Sequence, residues 1–178
     1  MRRKGSTLKS LGVKVEPWRV LACDPGFERL GVAVLEKNYS TNSKQEKFLY
    51  SDCIRTDAAL PFHRRLQIIG SAVELLLKEW RPDAVALEDV YFAKNEKTAM
   101  KIAEVRGMLT YLAVLQGLPL FEYSPAEVKA AVTGYGKGDK RAVAVMVPKL
   151  IALPQKKRLD DELDAIAVGL TCLASARF

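Results

Sequence analysis

The sequence predicts an α/β domain, a mixed five-stranded sheet with helices on both faces. Two patterns carry that expectation. The chain opens with three apolar runs, at about 18–23, 31–36 and 48–54, joined by short-range loops, as in an antiparallel meander. Beyond residue 57 helical and strand periods alternate, and strand–helix–strand crossovers add parallel neighbours.

Residues 1–16 have no sustained periodicity and carry several basic side chains, so they read as a basic flexible arm ahead of a domain spanning 17–178. The first strand gives way at Asp24-Pro25-Gly26, a turn tripeptide. The polar run 37–47 reads as a long exposed hairpin loop between the second and third strands. Asp57 is the expected N-cap of a helix in which Phe62, Leu66, Ile69, Val73, Leu76, Leu77 and Trp80 recur at helical spacing. Arg81-Pro82-Asp83 stops that helix and feeds a buried strand, 84–87, which ends at Glu88. A loop holding Tyr91 and Phe92 leads to a helix expected over about 96–116. Ile102, Val105, Leu109, Leu112 and Val114 form its apolar side. After Gly117-Leu118-Pro119 comes a short strand, 120–123. Ser124-Pro125-Ala126-Glu127 then makes a capping box with proline at the first helical position. A basic, glycine-rich turn covers 133–138, and Asp139 suits the N-cap of a helix to about Ile151. Pro148 is expected to kink that helix or end its regular part. The basic loop 155–158 precedes a last helix over about 160–176.

Composition narrows the function. Lysine and arginine total 28 against 21 acidic residues, a net charge of +7 that favours polyanions such as nucleic acid. No apolar run approaches the roughly 20 residues of a membrane span, and the N-terminus lacks the apolar core of a signal peptide. No membrane partner is expected, and the cytoplasm is the expected compartment. The 3 cysteines are scattered with no C-x-x-C pair, so they read as buried reduced thiols and not as a zinc site. His63, the single histidine, reads as a solvated helix residue and supports no histidine-dependent nucleophile.

The acids fall at informative places. Asp24 and Glu88 each stand at the carboxyl end of a strand; as parallel neighbours they would meet at one edge of the sheet. Asp161 and Asp164 share a helix face by their spacing. Four carboxylates gathered in one place repel, and two hard divalent cations would neutralise them; oxygen-only ligation argues against zinc. Plainer roles exist as well. Asp24 suits its turn, and Asp160, Asp161 and Glu162 suit the positive end of any helix. Glu88, directly after an apolar run, has no such explanation.

Five blocks carry a resemblance to a known family. They are Ala22-Cys23-Asp24-Pro25-Gly26, the run from Ala86 to Asn95, Ala103-Glu104-Val105-Arg106-Gly107, the run from Tyr123 to Gly134, and Asp161-Glu162-Leu163-Asp164-Ala165-Ile166-Ala167. In order, and over about 18–174, they resemble the RuvC Holliday-junction resolvases, the crossover junction endodeoxyribonucleases. The resemblance implies an RNase H-like (retroviral integrase-type) fold. It implies that Asp24, Glu88, Asp161 and Asp164 are the catalytic acids and hold two Mg²⁺, with Mn²⁺ able to substitute. Asp160 is left as an N-cap or an outer charge. The implied reaction is a pair of nicks in strands of like polarity at a four-way DNA junction, leaving 5′-phosphate and 3′-hydroxyl ends in recombination and repair.

Implied with it are DNA contacts from Tyr91, by stacking on bases, and from Lys129 and Lys140, with Lys137 and Arg141 adding attraction. Two strands of like polarity need two sites, so a homodimer is expected, with the 96–116 helix either at its interface or buried against the sheet; the family also implies a branch-migration helicase complex of the RuvA–RuvB type. Lys156, Lys157 and Arg158 are open between DNA contact and a solvated loop. The long N-terminal arm, the extended 37–47 loop and Pro148 depart from the family's pattern. The alternatives are an RNase H-like nuclease acting on RNA or an RNA–DNA hybrid, and a junction-binding protein that does not cleave.

Overall fold

β1 (Trp18–Asp24) is apolar on both faces, with Val20, Leu21, Ala22 and Cys23 fully buried, and it therefore takes the centre of the sheet. The computed structural model describes residues 17–38, 46–89, 96–135 and 140–176. The basic arm 1–16, most of the 37–47 loop and Asp139 lie outside the described residues. Around β1 the sheet is ordered β3-β2-β1-β4-β5, with β2 (Arg29–Lys37), β3 (Glu46–Arg55), β4 (Ala84–Glu88) and β5 (Leu120–Tyr123). The β1–β2 and β2–β3 pairs are antiparallel, and β4 and β5 join in parallel, as the period change predicts.

Strand alternation sorts the side chains into two layers. Leu21, Cys23, Leu30, Val32, Val34, Val85 and Leu87 pack under α1 (Phe62–Trp80) and α2 (Glu96–Leu115). Val20, Ala22, Ala33, Leu35 and Ala86 pack under α3 (Pro125–Thr133), α4 (Lys140–Leu150) and α5 (Asp160–Ser175). On this second face the strands carry mostly small residues, and α5 answers with Ala165 and Gly169. A Cβ on Gly169 would come 2.7 Å from Leu35 Cδ1, so α5 lies close on β1 and β2.

Three details differ from the sequence reading. α1 begins at Phe62 with Pro61 as its N-cap, because the residue before a proline avoids helical angles. Asp57 instead closes the preceding turn, its Oδ1 accepting from Ala59 N at 2.9 Å. Leu159, not Asp160, is the N-cap of α5, since Glu162 Oε1 already accepts the Leu159 N–H at 3.4 Å. Val114 lies on the exposed side of α2, and Ala113 takes its place in the core.

Candidate active site

Asp24 and Glu88 are the last residues of β1 and β4. These strands pair in parallel with Cys23 level with Leu87, so the two acids stand side by side, roughly 5 Å apart in backbone. Alternation puts both on the face of Ala22 and Ala86, under α5. Gly31, directly opposite Asp24 on β2, lies against the first turn of α5: a Cβ there would fall 1.9 Å from the Asp161 carbonyl oxygen. Only glycine allows that approach, and it brings Asp161 next to Asp24. Asp164, one turn along, lines a cleft together with Glu88 and Lys129. The four sequence-predicted acids thus surround one corner of the sheet.

Asp161 is turned toward β2 and β3. Its Oδ2 lies 3.4 Å from Arg29 Nε and 4.0 Å from Cys53 Sγ. Burial, and next the charge of Asp161, push the Cys53 thiol up from its ordinary value, so at neutral pH it stays protonated and is a poor metal ligand. As the side chains stand, no three His, Cys, Asp or Glu groups among the described residues are close enough to hold one ion. The donor set nevertheless fits a hard divalent cation: carboxylate oxygens from three elements, with no imidazole or thiolate among them.

Two groups that the sequence reading passed over hold this corner in place. Glu162 is only 4% exposed and points into β3. It accepts from Ser51 Oγ at 2.8 Å and pairs with Lys156 Nζ at 3.1 Å. Lys156 also donates to Ser51 O at 3.3 Å, and Arg158 lies over the Phe48 ring at 5.1 Å, so this basic loop is folded back onto β3. Arg106 of α2 forks between Asp89, the residue after Glu88, and Glu122 of β5. Asp89 N donates to Tyr123 O at 2.7 Å, which fixes the end of β4 from a second side. Arg106 belongs to one of the five sequence blocks and Glu162 to another. Their partners on other strands gave no sequence signal.

Two of the predicted basic residues line clefts with the acids. Lys129 lines the cleft with Glu88 and Asp164, and Arg141 lines a second one with Asp160 and Asp164. Lys140 opens α4. Tyr91, Phe92 and Lys137 lie outside the described residues. His63 is exposed and all three cysteines are free and buried, as expected.

The family model for "Crossover junction endodeoxyribonuclease RuvC" matches residues 20–172. The chain belongs to the RuvC family. A RuvC from Thermosipho melanesiensis is 39% identical over 160 residues, covering 90% of this chain and 99% of its own. Thermus thermophilus RuvC has a solved structure that superposes with a TM-score of 0.76 at 30% identity, covering 86% of this chain and 92% of its own. The same protein in complex with a Holliday junction substrate gives 0.78 at equal identity and coverage. The fold is accordingly RNase H-like, with the mixed five-stranded sheet that the strand pattern predicts.

Proposed function

We propose that this chain resolves four-way DNA junctions by metal-dependent hydrolysis, nicking two strands of like polarity and leaving 5′-phosphate and 3′-hydroxyl ends. The observation that carries the reading is the meeting of Asp24 and Glu88 at the ends of parallel strands, beneath the helix that brings Asp161 and Asp164. RuvC kinship along nearly the whole chain supports it.

Nucleases of this family are metal-dependent. Asp24, Glu88, Asp161 and Asp164 would hold two Mg²⁺, or Mn²⁺ in their place. Bound there, such ions make water a stronger nucleophile and offset the charge that builds on the leaving 3′ oxygen. The chain supplies the rest. Asp161, now in contact with Arg29, would turn to hold a metal, and Glu162 keeps the turn that bears it against β3. Lys129, Lys140, Lys137 and Arg141 attract the phosphates, and Tyr91 stacks on bases near the crossover.

Symmetric resolution needs two such sites, and a homodimer provides them. Met100, Tyr111 and Val114 of α2 are exposed and share with Gly107 a face repeating at three- and four-residue steps. A Cβ on Gly107 would touch nothing within 4 Å in this chain. Glycine inside a helix costs about 1 kcal/mol, and close approach by a second α2 accounts for it. Residues 17–178 act as one nuclease domain. It works in the cytoplasm, in recombination and repair, with a branch-migration helicase complex of the RuvA–RuvB type.

The test is incubation with labelled four-way, duplex and RNA–DNA hybrid substrates, with and without Mg²⁺. Junction cleavage that requires the metal is expected. Asp24→Asn is expected to bind the junction normally while cutting it more than about 100-fold slower, beyond the loss typical of an outer-sphere metal partner. Preferential cutting of the hybrid, or wild-type cleavage by Asp24→Asn, would overturn the assignment.

A further inference from the structure

We infer that a pocket beside the acids, lined by Glu28, Arg29, Arg55, Thr56, Ala58 and Arg65, receives a backbone phosphate of the cleaved strand flanking the reacting linkage. The inference rests on the nuclease reading above and adds a binding site to it.

Charge is the first argument. Arg29 and Arg55 are direct cross-strand partners at the open end of the β2–β3 pair. Like charges so placed destabilise a sheet unless an anion lies with them. Arg65 reaches the same pocket from α1 and is only 5% exposed. Its Nε donates to Thr56 Oγ1 at 2.8 Å, and its guanidinium lies 4.9 Å from the centre of the Phe27 ring. Among the described residues no carboxylate pairs with Arg65 or Arg55, and Arg65 Nη2 is buried without a hydrogen-bond partner. A buried cation without a counter-charge is costly. Glu28 is the one carboxylate lining the pocket; with Asp161 on Arg29, two carboxylates face three guanidinium groups, and a positive excess is left.

Rigidity is the second argument. The Thr56 hydroxyl donates to Phe27 O at 2.6 Å, so its oxygen is aimed at Arg65. Phe27 in turn stacks edge-on against Phe62 at 6.0 Å. Arg65 is thus oriented before any ligand arrives, as a planar fork that recognises phosphate oxygens requires.

Position is the third argument and selects the source of the anion. Arg29 also lines the cleft that holds Asp161, with Nε 3.4 Å from Oδ2. The pocket and the acids therefore share a wall. A strand presenting one phosphodiester to the acids carries its next one a single nucleotide away, toward Arg55 and Arg65. A free phosphate ion has the same chemistry without that continuity.

The experiment uses four-way junctions in which the phosphates on either side of the cut are replaced, one at a time, by neutral methylphosphonates. Binding is measured in EDTA, so that nothing is cut. For the wild type, one flanking substitution is expected to weaken binding about tenfold, the scale of a charged hydrogen bond. Arg55→Gln, exposed and so harmless to folding, should already be weaker by a similar factor and indifferent to that substitution. Its slope of log affinity against log salt should fall by about 0.9. Arg65→Lys, which keeps the charge and loses the fork, should reproduce part of the loss while melting as a folded protein. Equal losses in wild type and Arg55→Gln at every position would overturn the pocket, even with junction cleavage intact. If inorganic phosphate raises the melting temperature of wild type and not of Arg55→Gln, with losses still additive, the pocket belongs to a free anion and the DNA assignment fails. A wild type that neither binds nor cuts junctions fails the nuclease reading and this inference together.

Discussion

Glu162 follows Asp161 directly in sequence, and both lean on β3, Asp161 beside Cys53 and Glu162 on Ser51 with Lys156 next to it. The grip of Glu162 on β3 sets where the other acids of that turn stand. Lys156 is half exposed, which weakens the pair by solvent screening. Glu162→Gln should therefore cost only about 1 kcal/mol in urea unfolding, while raising the Mg²⁺ needed for half-maximal cleavage. An unchanged metal requirement would leave Glu162 a purely structural role. At this scale the sequence told much about Asp24 and Glu88, because each ends an apolar run and strand ends are visible in a pattern. It told little about Glu162 or Arg65. Their meaning depends on burial and on partners 111 and 9 residues away, which only the folded register supplies. Asp57 misled for a local reason, since a turn before Pro61 and a helix cap ask for the same side chain.

Among the elements, the join between β2 and α5 matters most to the site. Gly31→Ala places a methyl 1.9 Å from the Asp161 carbonyl and must lift the root of α5 from the sheet. A loss of about 3 kcal/mol, the upper range for overpacking, is expected in thermal unfolding, together with loss of cleavage. Native stability in this variant would contradict the packing described. The cap of α3 is a milder case. Ser124 Oγ accepts from Glu127 N, and Glu127 Oε2 accepts from Ser124 N at 2.7 Å. Ser124→Ala should cost about 1 kcal/mol. The hydrogen bonds from Ser124 hold the Glu127 carboxyl below its ordinary value. Its contribution is thus present above the unfolded-state value and fades as pH falls through the lower folded one. Melting curves of wild type and Glu127→Gln should accordingly converge in acid and separate toward neutral pH. The capping box was legible because its residues are contiguous. The glycine contact was not, because no local pattern tells a glycine that turns a chain from one that admits a helix.

For the molecule as a whole, α2 has the two-sided character that left its role open in sequence. Val105, Leu109 and Leu112 enter the core, while Met100, Tyr111 and Val114 face outward. An apolar stripe on each side blurs the helical period on which sequence reading relies. Tyr111→Glu is expected to yield a folded monomer by light scattering, with normal melting and single rather than paired nicks. A dimer that survives this substitution would move the interface elsewhere. The order of elements also bears on synthesis. Two of the acids come early, on β1 and β4, and two come from α5, beyond residue 159. If the four acids act together as proposed, a chain still being synthesised lacks half of its donor set until almost all of it has been translated.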